Sequence, residues 1–286
     1  MPDAPFKHFT APIMVEIGGS YSYVHVEIWE PDAPDKAICL IHDIAGRADD
    51  FAPLCAHLAR SGHRVVALDL PGRGNSAWIP QDLYTAQTYV QVLLAALKTH
   101  GLNNTALLGQ GWGAMIAVLL DRVAHRRFSQ LYLLDLPGQW AFEVDQSAQT
   151  WSKLAHIKSP NKSAFLKEID AAVPPEMPGR TELLDLVVER ARLVDGLYGL
   201  NVDPAIFRHL KENSDKVYDL DVALLSANAP IWLFSGMHSI PSERSHNARE
   251  RSSQIRHTCV LRASNQSWHS DDILAPVLGA VCMLGR

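Results

Sequence analysis

Apolar residues recur along this chain in two alternating rhythms. Short continuous runs, Ala37-Ile38-Cys39-Leu40-Ile41, Val65-Val66-Ala67-Leu68, Thr105-Ala106-Leu107-Leu108 and Leu131-Tyr132-Leu133-Leu134, have the pattern of strands buried on both faces. Between them, apolar positions fall at helical spacing from Asp50 to Ser61 (Phe51, Leu54, Cys55, Leu58), from Thr85 to His100 and from Ala114 to Val123. Strands alternating with helices through short loops predict a parallel sheet covered on both faces. Ahead of this region, Ala11 to Glu16 and Tyr23 to Trp29 alternate around Gly18-Gly19-Ser20 and predict an antiparallel hairpin that starts the sheet.

The rhythm breaks after Gly138. From there to Tyr218 no strand pattern stands out, and Leu184, Val187, Val188, Ala191, Val194 and Leu197 read as helix, with Pro174, Pro175 and Pro178 as breaks. Alternation resumes with Ile231 to Phe234, Thr258 to Arg262 and a final helix beginning near Pro276. The expected organisation is a core in residues 1–138, a helical insertion in 139–218 and a return to the core in 219–286.

Composition narrows the function classes. A chain of 286 residues, 47% hydrophobic and 20% charged, can bury a large core. Lys and Arg total 26 against 31 Asp and Glu, a net charge of -5, and no basic block is present, which argues against nucleic acid as a partner. The opening Met1-Pro2-Asp3-Ala4-Pro5 lacks the basic and apolar regions of a secretory signal, so a cytoplasmic location is expected. The longest apolar stretch, Ala106 to Leu120, is shorter than the ~20 residues that span a bilayer and is interrupted by Gly109, Gln110, Gly111 and Gly113, so no membrane segment is expected. Cys39, Cys55, Cys259 and Cys282 have no CxxC spacing and read as buried free thiols. His42, His238 and His269 lack HxH or HxxxH spacing, so neither a metal nor a cofactor is expected.

The chemistry-bearing signal is Leu107-Leu108-Gly109-Gln110-Gly111-Trp112-Gly113-Ala114. It resembles the strand, sharp turn and helix of the α/β-hydrolase nucleophile elbow, G-x-S-x-G. His42-Asp43-Ile44-Ala45-Gly46 resembles that family's oxyanion loop, and Asp69-Leu70-Pro71-Gly72-Arg73-Gly74-Asn75-Ser76 its loop after the next strand. The helical insertion sits where the family's cap sits. The resemblance covers essentially the whole chain and implies the α/β-hydrolase fold: a mostly parallel sheet, helices on both faces and a cap.

The departures bear on function. Gly111 stands at the nucleophile position and has no side chain with which to form an acyl-enzyme. Gly236-Met237-His238-Ser239 puts Ser239 where the family usually has its acid. Some members carry the acid one strand earlier, where Asp135 ends Leu133-Leu134; the plain alternative is an Asp that caps the following turn. Two registers compete for the histidine. Spacing to Pro276 favours His269, whereas aligning Ser270-Asp271-Asp272 places Gln266 there. Asp43 replaces the family's glycine beside the two amides implied as oxyanion donors, those of Ile44 and Trp112, and its carboxylate either points into that space or turns away to its own loop. His42-Asp43-Ile44 with a glycine elbow also resembles the N-myc downstream-regulated proteins, which share the fold without a working triad.

Two functions follow from these departures. One is a pseudo-hydrolase that binds a small organic molecule or a protein, with His42, Asp43, His238 and Ser239 around its pocket. The other is a small-molecule enzyme in which His269 and Asp135 act as a general base for lyase, oxygenase or water-mediated hydrolase chemistry. Nucleophilic attack by Ser76 or Ser239 is disfavoured, since neither sits at the sharp turn.

Overall fold

A computed structural model describes residues 5–124, 128–136, 139–143, 145–177, 179–216, 218–236, 254–261 and 271–283. Its centre is an eight-stranded sheet. Across it run β1 (Phe6–Thr10), β4 (Val26–Pro31), β6 (His63–Leu68), β5 (Lys36–Ile41), β7 (Ala106–Gln110), β8 (Gln130–Leu134), β13 (Ile231–Gly236) and β14 (Ile255–Leu261). The pairs β1/β4 and β4/β6 are antiparallel, and every pair from β6 to β14 is parallel.

The alternation of side chains along each parallel strand divides the core in two. Cys39, Ile41, Val66, Leu68, Leu107 and Leu133 face one layer, which holds α2 (Ala86–Thr99), α3 (Trp112–Val123) and α8 (Leu220–Leu225). Ile38, Leu40, Val65, Ala67, Leu108 and Leu134 face the other, with α1 (Ala52–Arg60) and α9 (Asp271–Met283). Both faces are covered, which is why these strands read as continuous apolar runs. Helix α2 starts where Thr85 caps it, its hydroxyl accepting the Thr88 N–H at 3.1 Å.

Between β8 and α8 the chain leaves the sheet as α4 (Gln146–Ala155), α5 (Lys162–Ala172), α6 (Arg180–Arg190) and α7 (Pro204–Glu212). The two ends of this excursion meet: β9 (Gln139–Trp140) pairs antiparallel with β12 (Tyr218–Asp219).

Three expectations need correction. The run from Leu184 to Leu197 is not one helix. Helix α6 stops at Arg190, and β10 (Ala191–Val194) and β11 (Leu197–Leu200) form a hairpin. Its two-residue turn is Asp195-Gly196, with φ of 53° and 81°, a left-handed pair that Asp-Gly adopts readily and that ends any helix. Tyr23 to Trp29 is likewise two strands. Ser20–Val24 is β3, which pairs with β2 (Ile13–Ile17) in a separate ribbon, whereas β4 joins the main sheet. Finally, Pro276 lies inside α9, because Ile273 and Leu274 are buried on the same face as Val277, Ala280 and Val281 and carry the helix back to Asp271.

Candidate functional site: an elbow without a nucleophile

Strand β7 ends at Gln110 and α3 begins at Trp112, so the chain reverses at Gly111 alone. Gly111 has φ 52° and ψ -112°, a conformation that strains any residue bearing a Cβ. Its N–H donates to the Leu134 carbonyl at 2.9 Å, which ties the turn to β8. A Cβ on Gly109 would stand 2.6 Å from the backbone of Ala114, and one on Gly113 2.6 Å from the His42 carbonyl oxygen. Strand, helix and the 42–46 loop therefore pack backbone against backbone. The sharp strand-to-helix turn is built, and the residue at its apex carries no side chain.

The space in front of the turn is filled by Asp43. Its Oδ1 accepts the Trp112 N–H at 2.8 Å, and the adjacent Ile44 amide also favours its charged form. Trp112 and Ile44 carry the two amides that the resemblance implies as oxyanion donors, and that of Trp112 serves a carboxylate of the protein itself. Of the two orientations left open by the sequence, Asp43 takes the one that lies across the elbow. It also sits at the N-terminus of α3, where exposed amides and the helix dipole favour an anion. Removal from water outweighs these donors and, with the negative charges of Asp145 and Asp135 nearby, pushes the Asp43 carboxyl up to about 6.

Three buried groups, His42, Arg73 and Arg190, tie down the 42–46 loop, and a fourth, Asp69, bonds just beyond it. His42 Nε2 accepts the Leu70 N–H at 2.9 Å, so its Nδ1 carries the proton and donates to the Asp43 carbonyl at 2.6 Å. Burial, reinforced by the Arg73 charge, takes this imidazole down to about 3, so it stays neutral. Arg73, fully buried, donates from Nε to the Ile44 carbonyl at 2.6 Å and from Nη1 to the Pro71 carbonyl at 3.0 Å, with its guanidinium 4.9 Å from the Tyr89 ring centre. Arg190 reaches down from the end of α6, giving Nη1 to the Ala45 carbonyl at 2.8 Å and Nη2 to Asp50 at 2.5 Å. Asp69 joins the loops after β5 and β6 by accepting the Ala48 and Asn75 amides, each at 2.7 Å. Its burial raises it to about 6 as well.

Asp135 lies where β8 ends, next to the carbonyl that holds Gly111, in a left-handed conformation with φ 50°. Its N–H donates to the Phe234 carbonyl at 2.8 Å. His269 and Gln266, and likewise His238 and Ser239, lie outside the described residues. Ser76 is committed to structure, its hydroxyl donating to the Asp69 carbonyl at 2.6 Å and accepting the His25 N–H at 2.9 Å. Trp140, Phe142, Trp151 and Phe165 are buried in the core layer of α2 and α3, where Trp112 meets Trp140 edge to face with ring centres 4.6 Å apart. Among the described residues, no group of three His, Cys, Asp or Glu side chains is placed to hold a metal ion, and no helix is long and apolar enough to cross a membrane.

The cavity at Asp43, walled also by Gln110, Ser147, Trp151 and Arg190, is about 40 Å³. That is room for a water or two, against the roughly 300 Å³ or more of an ordinary ligand pocket. Sequence reasoning did not single out Arg73, Asp69 or Arg190. Arg73 and Asp69 lie inside the quoted loop motif, but Arg190 has no local signal, since only the fold brings the end of α6 over the loop after β5.

Residues 36–169 match the family model described as alpha/beta hydrolase fold. A proline iminopeptidase of Lactobacillus delbrueckii subsp. lactis is 37% identical over 94 residues, 31% of this chain and 32% of the relative, so the match spans about a third of that relative's length. An alpha/beta hydrolase from Novosphingobium aromaticivorans superposes over 99% of both chains with a TM-score of 0.71 at 17% identity. A putative hydrolase from Rickettsia typhi covers 98% of this chain and 99% of its own, with a TM-score of 0.71 and 17% identity. With the strand order, the glycine-hinged turn and the matched segment in agreement, the chain has the α/β-hydrolase fold.

Proposed function

We propose that this chain is a pseudo-hydrolase, a member of the fold that binds a small ligand under the cap formed by residues 139–218 and does not cleave it through an acyl-enzyme. The observation that carries this reading is the Asp43 carboxylate, which accepts the Trp112 amide itself and lies across the turn at Gly111. An oxyanion intermediate needs its donors empty and aimed at it. Here the Trp112 donor is occupied, the occupant is acidic, and Asp135 and Asp145 add negative charge around it. Gly111 removes the nucleophile from the same place.

The test is direct. The protein is incubated with a fluorophosphonate probe and assayed on p-nitrophenyl acetate and on proline β-naphthylamide, the last because several relatives are named proline iminopeptidases. No labelling and no turnover above the reagent blank is the expected result. Labelling at an elbow residue, or turnover abolished by changing Asp43, overturns the reading.

A second reading, proton abstraction by a base paired with Asp135, is favoured by the left-handed backbone that holds Asp135 at the end of β8. It predicts turnover of a carbon acid that is lost in Asp135→Asn.

A further inference from the structure

Beside the elbow, the hairpin β10/β11 stands over the loops after β5 and β6 and encloses a cleft of about 560 Å³. This is within the size range of small-molecule sites, whereas the cavity at Asp43 is not. Three arginines come to the cleft from two parts of the fold: Arg47 from the loop after β5, and Arg190 and Arg192 from the end of α6 and the start of β10.

These guanidinium groups are not used up by the fold. Among the described residues, Arg47 Nε has no hydrogen-bond partner, its contacts with Asp49 at 3.8 Å and Asp50 at 3.7 Å being long ion pairs. Arg192 spends Nη1 on the Glu189 and Ala191 carbonyls at 2.7 and 3.1 Å and is otherwise exposed. Arg190, 9% exposed, is committed to Ala45 and Asp50, yet its Nε is left without a partner. Unmet donors on buried or half-buried cations cost free energy until an acceptor arrives, and a planar guanidinium is shaped to grip carboxylate or phosphate oxygens. Asp49 and Asp195 also line the cleft, both exposed as Arg192 is, and against these two acids the lining carries three arginines.

We infer that this cleft binds a small oxyanion, a carboxylate or phosphate group gripped by Arg47 and Arg192 over Arg190. The inference rests on the ligand-binding reading above and names the chemistry of its ligand. The anion is held on the hairpin side of the elbow, away from the donor that Asp43 occupies, so binding and the loss of hydrolysis are compatible in one molecule.

The experiment is isothermal titration at constant ionic strength with inorganic phosphate in one arm and succinate in the other, chloride serving as the control anion. Saturable binding is expected, weakened about tenfold to a hundredfold in Arg47→Gln and in Arg192→Gln and unchanged in Lys98→Gln on the exposed side of α2. The stronger of the two arms identifies the group recognised. Absence of saturable binding in both arms, or equal binding by all three variants, overturns the inference. Either result leaves the pseudo-hydrolase reading to its own assay, in which fluorophosphonate labelling refutes that reading alone.

Discussion

Asp43 and Gly111 are sterically complementary. A Cβ added to residue 111 would lie 2.6 Å from Asp43 Cγ and 3.0 Å from Oδ2, closer than carbon atoms pack. The carboxylate fills the volume that a nucleophile's side chain would need, so the two departures from the hydrolase pattern form one structural unit.

Gly111→Ser is therefore expected to destabilise the protein without conferring hydrolysis. Overpacking costs roughly 1–3 kcal/mol, to which the strain of a positive φ adds. Asp43→Gly made together with Gly111→Ser should recover much of the loss. Urea midpoints of the two single variants and the double variant measure the coupling, and strict additivity would contradict the packing relationship.

The Asp43 carboxyl also predicts a pH dependence. Its folded value of about 6 stands above the ordinary 3.8, so the folded state holds a proton that the unfolded chain has released. Its contribution to stability is fully present below about pH 3.8 and is lost as the pH rises through 6. Asp43→Asn should flatten the fall in stability across that window in denaturant titrations. Asp69, raised to about 6 by its own burial, leaves a residual slope.

Arg73 is a buried cation whose partners are the Ile44 and Pro71 carbonyls and the hydroxyl and ring of Tyr89. Arg73→Leu leaves the Ile44 and Pro71 carbonyls without their donor and frees the 42–46 loop. A loss of about 3 kcal/mol in urea unfolding is expected, since each buried polar group stranded costs roughly 1–3 kcal/mol.

Thiol accessibility gives a simple check on the core. Cys39 and Cys55 are 0% exposed, and burial pushes the Cys55 thiol well above its usual range. Neither should react with a thiol reagent in the native protein at pH 8, and both should react on unfolding. Rapid native labelling of Cys55 would show that α1 does not pack on the sheet as described.

The parallel core was legible because burial on both faces leaves a local trace, continuous apolar runs such as Ile38 to Ile41. The elbow was legible for a similar reason, since Gly109, Gly111 and Gly113 answer to clashes with backbone that no side chain evades. The β10/β11 hairpin was misread because helical spacing of apolar residues ran through Asp195-Gly196, whose left-handed turn outweighs periodicity.

The chain's own order of residues thus determined the fold class, the place of the sharp turn and the glycine at its apex, because each is a property of backbone conformation or of a single residue. Whether Asp43 would face the elbow or its loop, and that Arg190 would cross to Ala45 while Arg47 and Arg192 met over one cleft, only the tertiary structure decided. Those relations join residues between 69 and 145 positions apart, and their geometry comes from packing long-range partners together, which no local pattern encodes.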